Sequence, residues 1–240
     1  MPDPGRLIGA GRDADIFDIG AGRVLRRYQD PARHRPDDVV REQRVMRHLR
    51  SAGFPVPEVF DVDGPDLVME RVDGPTMLDE LGRRPWRTRR YADTWADVHV
   101  RLAAVPVGEL AGGPSALPVR FGAPDAILHL DFHPGNVIVT ADGPIVIDWT
   151  NASLGPPAAD VAQAWIIAAS STLDEPWAIR VIAIFIRRRL VDRFVDRCGR
   201  DEARALLPAT ADYRLRDRNV RPQEADRIRR LVAAHRTGPA

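Results

Sequence analysis

The 240-residue sequence contains no lysine, because all 35 residues of its Lys+Arg class are arginine. Lysine is ordinarily one of the commonest residues, and its absence excludes a Schiff-base or pyridoxal lysine and the standard Walker lysine. A bias toward GC-rich codons would explain this absence together with the abundance of Ala, Gly, Pro and Asp. Any role that lysine commonly fills must be taken here by arginine or histidine, or be left unfilled.

Other features that the sequence lacks exclude further classes of protein. The single cysteine, Cys198, excludes a disulfide framework and a cysteine zinc site. Met1–Ala10 has no apolar core and does not predict a signal peptide, and the longest apolar run, Val181–Ile186, is far shorter than the roughly 20 residues of a membrane span. The net charge of +1 disfavours a dedicated nucleic-acid binder. We therefore expect a soluble, cytoplasmic protein without a membrane or nucleic-acid partner.

The positive charge is concentrated near the C-terminus. Residues 187–240 carry 15 arginines and 8 acidic residues, a net charge of +7, so the rest of the chain has a net charge of −6. Hydrophobic residues make up 44% of the sequence and charged residues 29%, which is typical of a folded globular chain. At this length the chain can bury a full core in one large domain or in two lobes.

Hydrophobic periodicity and turn residues divide the chain into a β-rich part of about 70 residues and a mainly helical part. The first part predicts an antiparallel meander with glycine turns, one helix and two further strands. Its predicted strands are Leu7–Ile8, Ile16–Ile19, Val24–Arg26, Val56–Val62 and Leu67–Val72, and its helix is Pro36–Ser51. The second part predicts helices Tyr91–Ala104, Ala158–Ala169, Pro176–Cys198, Asp201–Leu207 and Gln223–His235, and strands Ile127–Leu130, Val137–Val139 and Ile145–Ile147.

The most informative stretch is the octapeptide HLDFHPGN at His129–Asn136, followed by Asp148 at the end of a predicted strand. A short strand, a tight Pro-Gly turn and a hairpin would bring Asp131, Asn136 and Asp148 to one end of a small sheet. Two carboxylates and an amide oxygen suit Mg²⁺, and one carboxylate can instead accept a proton from an attacking hydroxyl. Asp131 and Asn136 also have a purely structural interpretation, as turn formers around Pro134-Gly135.

The octapeptide resembles the catalytic loop of the protein kinase-like superfamily. It is closer still to the H-x-D-x-x-x-x-N pattern of the aminoglycoside phosphotransferase and choline kinase branch. Asp148-Trp149-Thr150 stands where protein kinases have D-F-G, and Gly155 and Asp160 match the Gly and the helix-starting Asp that follow in the family. The resemblance covers the chain from about Arg6 to Ala169.

This resemblance implies an α+β, bilobal protein kinase-like fold. A small antiparallel β lobe with one helix, residues 1–70, would bind the nucleotide. A larger, mainly helical lobe, residues 71–240, would carry the catalytic and acceptor-binding groups, and the hinge would lie at about residues 69–74.

The resemblance also implies roles for the residues of the catalytic loop. Asp131 corresponds to the base that orients and deprotonates the acceptor hydroxyl, and Asn136 and Asp148 correspond to the Mg²⁺ ligands. His129 would brace the loop. His133 falls where protein kinases have a lysine, and it would either contact the γ-phosphate or simply pack within the loop.

Residues of the small lobe would complete the nucleotide site. Gly9 and Gly11 fall where the family has its phosphate-covering loop, although a plain hairpin turn also explains them. Arg26 stands at the third-strand position where the family has a phosphate-pairing lysine. Glu42 lies on the apolar stripe of its predicted helix, and a carboxylate facing the core needs a partner, which a forked guanidinium can supply. The alternative position for Glu42 is the stripe's edge, in water, and Arg27 is the alternative arginine.

Four further residues receive expectations from the family pattern. The Glu70 carbonyl and the Val72 N–H group, at the hinge, are expected to contact the adenine. His99 is expected to be structural. Asp160 is expected to cap its helix or to hold the loop after Asp148.

Together these features predict an enzyme that uses ATP, with GTP as an alternative, and Mg²⁺ to phosphorylate a hydroxyl of a small molecule. Sugars, amino alcohols, antibiotics and other hydroxylated metabolites all fit, although the positive C-terminal segment disfavours a polycationic aminoglycoside. A nucleotide-binding pseudokinase is the main alternative, because arginine replaces lysine at position 26. A metal-dependent hydrolase using His129, Asp131 and His133 is a further alternative. The oligomeric state is not predicted.

Overall fold

The computed structural model describes residues 5–11, 13–30, 35–113, 116–171 and 177–235, with side chains from residue 183 onward in the last range. The described residues form nine strands: β1 Arg6–Ala10, β2 Ala14–Gly20, β3 Arg23–Tyr28, β4 Val59–Asp63, β5 Asp66–Glu70, β6 Ala126–Leu128, β7 Val137–Val139, β8 Pro144–Val146 and β9 Ser153–Gly155. They also form seven α-helices: α1 Pro36–Ser51, α2 Met77–Arg83, α3 Thr88–Ala103, α4 Ala158–Ser170, α5 Trp177–Cys198, α6 Arg200–Leu215 and α7 Pro222–His235.

The first five strands form one antiparallel sheet with the order β1-β2-β3-β5-β4. The predicted meander of the first three strands is therefore confirmed. Helix α1 has the predicted bounds, with Asp37 and Asp38 in its first turn and Val39, Met46 and Leu49 buried. It packs against β4 and β5, so its apolar stripe closes the core of this part.

The remainder of the chain is mainly helical, as predicted. Helix α5 packs against α3 and α4, and α4 also packs against α6 and α7. Two short antiparallel ladders, β6 with β9 and β7 with β8, lie between α3 and α4 in the chain order. Within the described residues, no helix is both long and apolar enough to cross a bilayer. The α+β fold class follows from this arrangement.

Several predicted elements differ from those observed. The predicted strand from Val56 begins only at Val59, because Pro55 and Pro57 cannot donate ladder hydrogen bonds. Helix α6 was expected to end at Leu207, before Pro208, but it continues to Leu215. A proline inside a helix costs about 3 kcal/mol, and the packing of α6 against α4 offsets that cost.

Helix α2 was not predicted, although the sequence contains its start signal. Thr76 Oγ1 accepts a hydrogen bond from the Asp79 N–H group at 3.1 Å, and the Asp79 carboxylate accepts one from the Thr76 N–H group at 3.0 Å. This is a capping box, which stabilises the first turn of a helix. Pro176, the first residue of the predicted helix Pro176–Cys198, lies outside the described residues.

An aromatic cluster joins α3 and α5 to the loop after β6. The rings of Trp95 and Phe194 stack with 3.7 Å between their centroids, and Phe132 lies 6.0 Å from Trp95. All three side chains are fully buried. His99 packs against Phe132 and Phe194, and burial lowers the pKa of its imidazole to about 4, so His99 is a neutral core residue, as expected.

We predict that Trp95→Ala lowers the free energy of unfolding by about 3–5 kcal/mol, because it removes a fully buried ring and leaves a cavity. Trp86 is 75% exposed and serves as the matched control. Trp86→Ala should change the stability by at most about 0.5 kcal/mol. Denaturant unfolding followed by circular dichroism measures both, and equal effects of the two substitutions would contradict the prediction.

Candidate functional site

A single cleft of about 1870 Å³ runs along the large sheet and the helical part. Its walls include almost all residues that the sequence predicts to contact the nucleotide, the metal or the acceptor. These are Gly9, Gly11, Arg26, Glu70, Val72, Asp131, His133, Asn136 and Asp148. The exception is Glu42, which is only 2% exposed and lies behind Arg26.

The loop that carries Asp131 leaves β6 through an unusual backbone conformation. Leu130 has φ +59°, a left-handed conformation that is uncommon for a residue other than glycine. The Asp160 carboxylate stabilises this turn by accepting hydrogen bonds from the N–H groups of His129 at 2.8 Å and Leu130 at 2.6 Å. Asp160 therefore fixes the start of the octapeptide loop, where the next residue, Asp131, lines the cleft.

The expectation for Asp160 was wrong in both its forms. The N-cap of α4 is Pro157, and Asp160 lies inside the first turn of the helix instead of capping it. Its described hydrogen bonds go to the loop before Asp131 and not to the loop after Asp148. Burial raises the pKa of Asp160 to about 7, although the two backbone donors act in the opposite direction.

Asp131 and Asn136 meet across the tight turn of the octapeptide. The Asn136 side-chain amide donates to the Asp131 backbone oxygen at 2.9 Å and to Asp131 Oδ2 at 3.2 Å. With its N–H₂ group directed at Asp131, Asn136 retains its amide oxygen for a ligand. Burial raises the pKa of Asp131, but His133, His129 and Arg214 outweigh this effect and hold it below its usual value. Asp131 is thus ionised at neutral pH and can accept a hydrogen bond.

His133 packs within the loop and also faces Asp131. Its Nδ1 atom accepts a hydrogen bond from the Gly135 N–H group at 3.0 Å, so the neutral ring carries its proton on Nε2. Nε2 lies 3.6 Å from Asp131 Oδ2. The hydrogen bond to Gly135 thus supports the interpretation that His133 packs within the loop. A contact of His133 with the γ-phosphate stays a prediction.

Arg26 joins three parts of the chain beneath the cleft. Its Nη1 atom donates to Glu42 Oε1 at 2.9 Å, and its Nη2 atom donates to Asp148 Oδ1 at 2.7 Å and to Thr150 Oγ1 at 3.1 Å. Burial lowers the pKa of Arg26, but the charges of Glu42 and Asp148 raise it by a larger amount. The net pKa is therefore raised, and the guanidinium keeps its charge. Arg27, the alternative arginine, binds Asp66 instead.

Asp148 lies at the end of β8 with φ +66°, a second left-handed residue next to the cleft. Burial raises the pKa of its carboxyl group, but Arg26 and Thr150 lower it to about 2. Its side chain is 40% exposed, so the carboxylate faces both Arg26 and the cleft. One cation and two carboxylates leave the Arg26–Glu42–Asp148 cluster with a net charge of −1.

Two members of this cluster were missed by sequence reasoning. The Tyr28 hydroxyl donates to Glu42 Oε2 and lies 2.9 Å from Thr150 Oγ1, and Thr150 Oγ1 lies 2.9 Å from Asp148 Oδ1. Tyr28 is two residues after Arg26 on β3, so strand alternation predicts that both side chains point to one face. That signal was available for Tyr28. No comparable signal identifies Thr150.

His129 is a bracing residue with both ring nitrogens engaged. Its Nδ1 atom accepts from the Asp131 N–H group at 3.3 Å, and its Nε2 atom lies 3.0 Å from the Ile147 carbonyl oxygen. Neither nitrogen is therefore available to a metal. Among the residues that the structure describes, no three His, Cys, Asp or Glu side chains are grouped as a metal site.

Gly11 is required for the turn between β1 and β2. Its N–H group donates to the Ala14 carbonyl at 2.9 Å, and a Cβ atom at Gly11 would meet that oxygen at 2.8 Å.

At the opposite wall of the cleft, Glu70 ends β5 and its carboxylate accepts from Arg50 and from the Glu58 N–H group. The Glu70 side chain is thus turned to other partners, which leaves main-chain groups as the adenine contact to be tested.

We predict that Asp160 makes stability pH-dependent. The folded state holds its proton more tightly than the unfolded chain, so the contribution of Asp160 to stability falls as the pH rises from about 4 to about 7. The pKa of His99 is lowered, so its contribution to stability rises with pH over part of this range. The quantity to compare is therefore the difference in unfolding free energy between wild type and Asp160→Asn. Between pH 4 and pH 8 wild type should lose roughly 2–4 kcal/mol of unfolding free energy relative to this variant. Asp142→Asn, at an exposed turn, should show no such change, and parallel pH profiles for wild type and Asp160→Asn would contradict the prediction.

Comparison with solved structures identifies the fold. The apo form of a thermostable mutant of aminoglycoside phosphotransferase APH(4)-Ia aligns with a TM-score of 0.61 and 19% identity, covering 97% of this chain and 95% of that chain. The streptomycin-ATP complex of APH(2'')-IIa gives a TM-score of 0.60 and 14% identity over 87% of this chain and 82% of that chain. A choline/ethanolamine kinase family protein from Mesorhizobium loti aligns with a TM-score of 0.52 and 18% identity, covering 99% of this chain and 89% of that chain. These likenesses show the bilobal protein kinase-like fold that the sequence resemblance implied.

Comparison with curated proteins gives a more distant relative. A probable bifunctional tRNA threonylcarbamoyladenosine biosynthesis protein from Methanoculleus marisnigri is 29% identical over 154 residues, or 60% of this chain. The match covers 24% of that protein, so the chain spans about a quarter of the length of the curated relative. The profile of the phosphotransferase enzyme family matches residues 4–118 and 114–206, which together extend from β1 into α6. The chain therefore belongs to the phosphotransferase enzyme family.

Proposed function

We propose that this phosphotransferase moves the γ-phosphoryl group of ATP to a hydroxyl of a small molecule. The observation that carries the proposal is the convergence of Asp131, Asn136 and Asp148 on one cleft wall, with the buried Arg26 beside them. These groups match the needs of phosphoryl transfer, which depends mainly on positioning and on neutralising charge. GTP is an alternative donor.

In this proposal the chain divides at about residues 69–74 into a nucleotide-binding lobe, residues 1–70, and a catalytic and acceptor-binding lobe, residues 71–240. The turn at Gly9 and Gly11 covers the phosphates. The Glu70 carbonyl and the Val72 N–H group bind the adenine. All of these positions line the same cleft, which supports the assignment.

The oxygen ligands present fit Mg²⁺. Asn136 offers an amide oxygen, Asp148 offers a carboxylate that is ionised at neutral pH, and the net negative charge of the Arg26 cluster favours a cation beside it. When bound, Mg²⁺ would neutralise charge on the transferring phosphates. Arg26 orients Asp148 through its hydrogen bond, and Thr150 fixes the same carboxylate oxygen from the other side.

The chemical step follows from the position of Asp131. The acceptor oxygen forms a bond to the γ-phosphorus while the bond from that phosphorus to the β–γ bridging oxygen breaks, and ADP leaves. Asp131 orients the hydroxyl and accepts its proton. Asn136 holds Asp131 in place, and Asp160 acts through the loop backbone as a positioning residue.

One observation favours the pseudokinase as a second candidate. Arg26 binds Asp148 Oδ1 directly, so one oxygen of the proposed metal ligand is already engaged by a cation. A protein that keeps this contact with nucleotide bound would bind ATP and transfer its phosphate poorly. The two candidates make opposite predictions for Asp131, because only an enzyme depends on a base.

We predict that Asp131→Ala lowers kcat for the best acceptor by about 10²–10⁴-fold and leaves ATP binding intact. Asp148→Ala should weaken Mg²⁺-ATP binding, because it removes a carboxylate ligand. Phosphate transfer over a panel of hydroxylated acceptors and calorimetric ATP titrations measure the two effects. The control is Asp142→Ala in the exposed turn between β7 and β8, which should match wild type. If no acceptor raises ATP turnover above hydrolysis by water while ATP still binds, the pseudokinase is favoured.

We predict that Arg26→Ala raises the KM for ATP and lowers kcat, each by about tenfold or more, because it removes charge-assisted hydrogen bonds. It also leaves Glu42 buried without its cation, which should cost about 3–5 kcal/mol of stability. Arg26→Lys keeps the charge but not the fork, so its activity should lie between Arg26→Ala and wild type. Arg27→Ala, on the next residue of β3, is the matched control. Unchanged kinetics in the folded Arg26 variants would refute the role proposed for Arg26.

A further inference from the structure

Most arginines of the positive C-terminal segment are either paired with carboxylates or exposed to solvent. Arg188, Arg193, Arg197, Arg200, Arg204, Arg214 and Arg229 each lie within 4.0 Å of an acidic side chain. Among the described arginines of residues 187–230 that have no such partner, only Arg187 and Arg227 are not exposed. A half-buried cation without a carboxylate is costly, so these two need an explanation.

Arg187 on α5 and Arg227 on α7 converge on the C-terminal end of α4. Arg187 Nη1 donates to the Ser171 carbonyl at 2.8 Å, and Arg227 Nη1 donates to the Ser170 and Ser171 carbonyls at 3.1 and 3.2 Å. Within the described part of the chain, neither guanidinium makes another hydrogen bond. Since each guanidinium has five N–H donors, most of their capacity remains for a ligand.

Capping of α4 accounts for only part of this arrangement. The C-terminal end of a helix carries about half a negative charge, whereas two guanidinium groups carry two positive charges. Within the part of the chain that the structure describes, no carboxylate lies within 4.0 Å of either guanidinium, so the described groups here carry an excess of about one and a half positive charges. Burial lowers the pKa of Arg187, and the neighbouring charge of Arg227 lowers it further.

Arg187 lines the same cleft as Asp131, at the end away from the large sheet. The carboxylates on this part of the wall are engaged elsewhere: Asp217 lies 3.7 Å from Arg214 and accepts from the Asn219 N–H group, and Glu224 accepts from the Arg221 N–H group. Neither lies within 4.0 Å of Arg187. Apolar side chains, including Ile167, Ile186 and Leu190, form the rest of this end.

From this arrangement we infer that the acceptor is a hydroxylated small molecule with an anionic group, a carboxylate or a phosphate, which the Arg187–Arg227 pair binds. The anion would compensate the two cations and fix the acceptor with its hydroxyl toward Asp131. This inference rests on the proposed function and narrows its acceptor class. It disfavours polycations, which the same two arginines would repel.

The test compares acceptors that differ in one charged group. One series is D-glucuronate, glucose and glucosamine, and a second is glycerate, glycerol and 3-amino-1,2-propanediol. Glycerol 3-phosphate distinguishes a phosphate from a carboxylate, and kanamycin represents polycations. Transfer from radiolabelled ATP is measured for wild type, Arg187→Gln, Arg227→Gln, Arg187→Lys and the matched control Arg189→Gln, which alters an exposed arginine of the same helix. Circular dichroism checks that each variant is folded.

We expect wild type to prefer an anionic acceptor over its neutral and cationic counterparts by about tenfold or more in kcat/KM. Arg187→Gln and Arg227→Gln should each lose about 10–100-fold for that acceptor, mainly through its KM, with the KM for ATP unchanged. Arg187→Lys should lose less, because it keeps the charge, and Arg189→Gln should match wild type.

Preference for a neutral or cationic acceptor, absence of transfer to every anionic member, or an equal loss in Arg189→Gln would overturn the inference. The result also distinguishes this failure from failure of the proposed function. Transfer to glucose or kanamycin that Asp131→Ala abolishes would leave the kinase standing and remove only the anionic acceptor. Absence of transfer to every acceptor, together with absent Mg²⁺-ATP binding, would remove both.

Discussion

The buried guanidinium of Arg26 connects the parts of the chain that form the cleft. It lies on β3 of the large sheet and bonds to Glu42 on α1 and to Asp148 and Thr150 after β8. A charge with so little solvent must be compensated by groups in good geometry, so the sheet, the helix and the helical part can meet in few other ways. The same contacts aim Asp148 at the cleft. Stability and the geometry of the site thus depend on one side chain.

Two strained residues complete this frame, and each is held by an ionised or hydrogen-bonding side chain from elsewhere. Leu130 and Asp148 both have left-handed backbone conformations, which cost about 1–2 kcal/mol each for residues other than glycine. Asp160 holds the first through two backbone N–H groups, and Arg26 holds the second through its carboxylate. Strain that tertiary contacts maintain in this way is typical of sites that need a fixed geometry.

Local patterns in the sequence predict α1 to the residue, because proline, acidic residues and an apolar stripe all indicate the same helix. The apolar stripe of α1 also predicts that Glu42 needs a cation, and the resemblance to the kinase-like family identified Arg26 as that cation. The partners of Asp160 were not predictable in this way. Its hydrogen bonds reach backbone groups about 30 residues earlier, and no spacing rule specifies such a contact. Helix α6 shows the same limit, because tertiary packing overrides the stop signal of Pro208.

The absence of lysine has different consequences at the two ends of the cleft. At the nucleotide end, the fork of Arg26 binds two carboxylates at once, which the single ammonium of a lysine would do with less directional control. At the acceptor end, the net charge of +7 in residues 187–240 suggested a generally basic surface. In the fold, ion pairs or solvent account for nearly all of the described arginines of this segment, and the half-buried ones without a described carboxylate partner are Arg187 and Arg227. Composition indicated an excess of positive charge, and only the fold shows which described cations lie half-buried beside the cleft. In the function that we propose, the acceptor would therefore be selected by this pair, and not by the total charge of the segment.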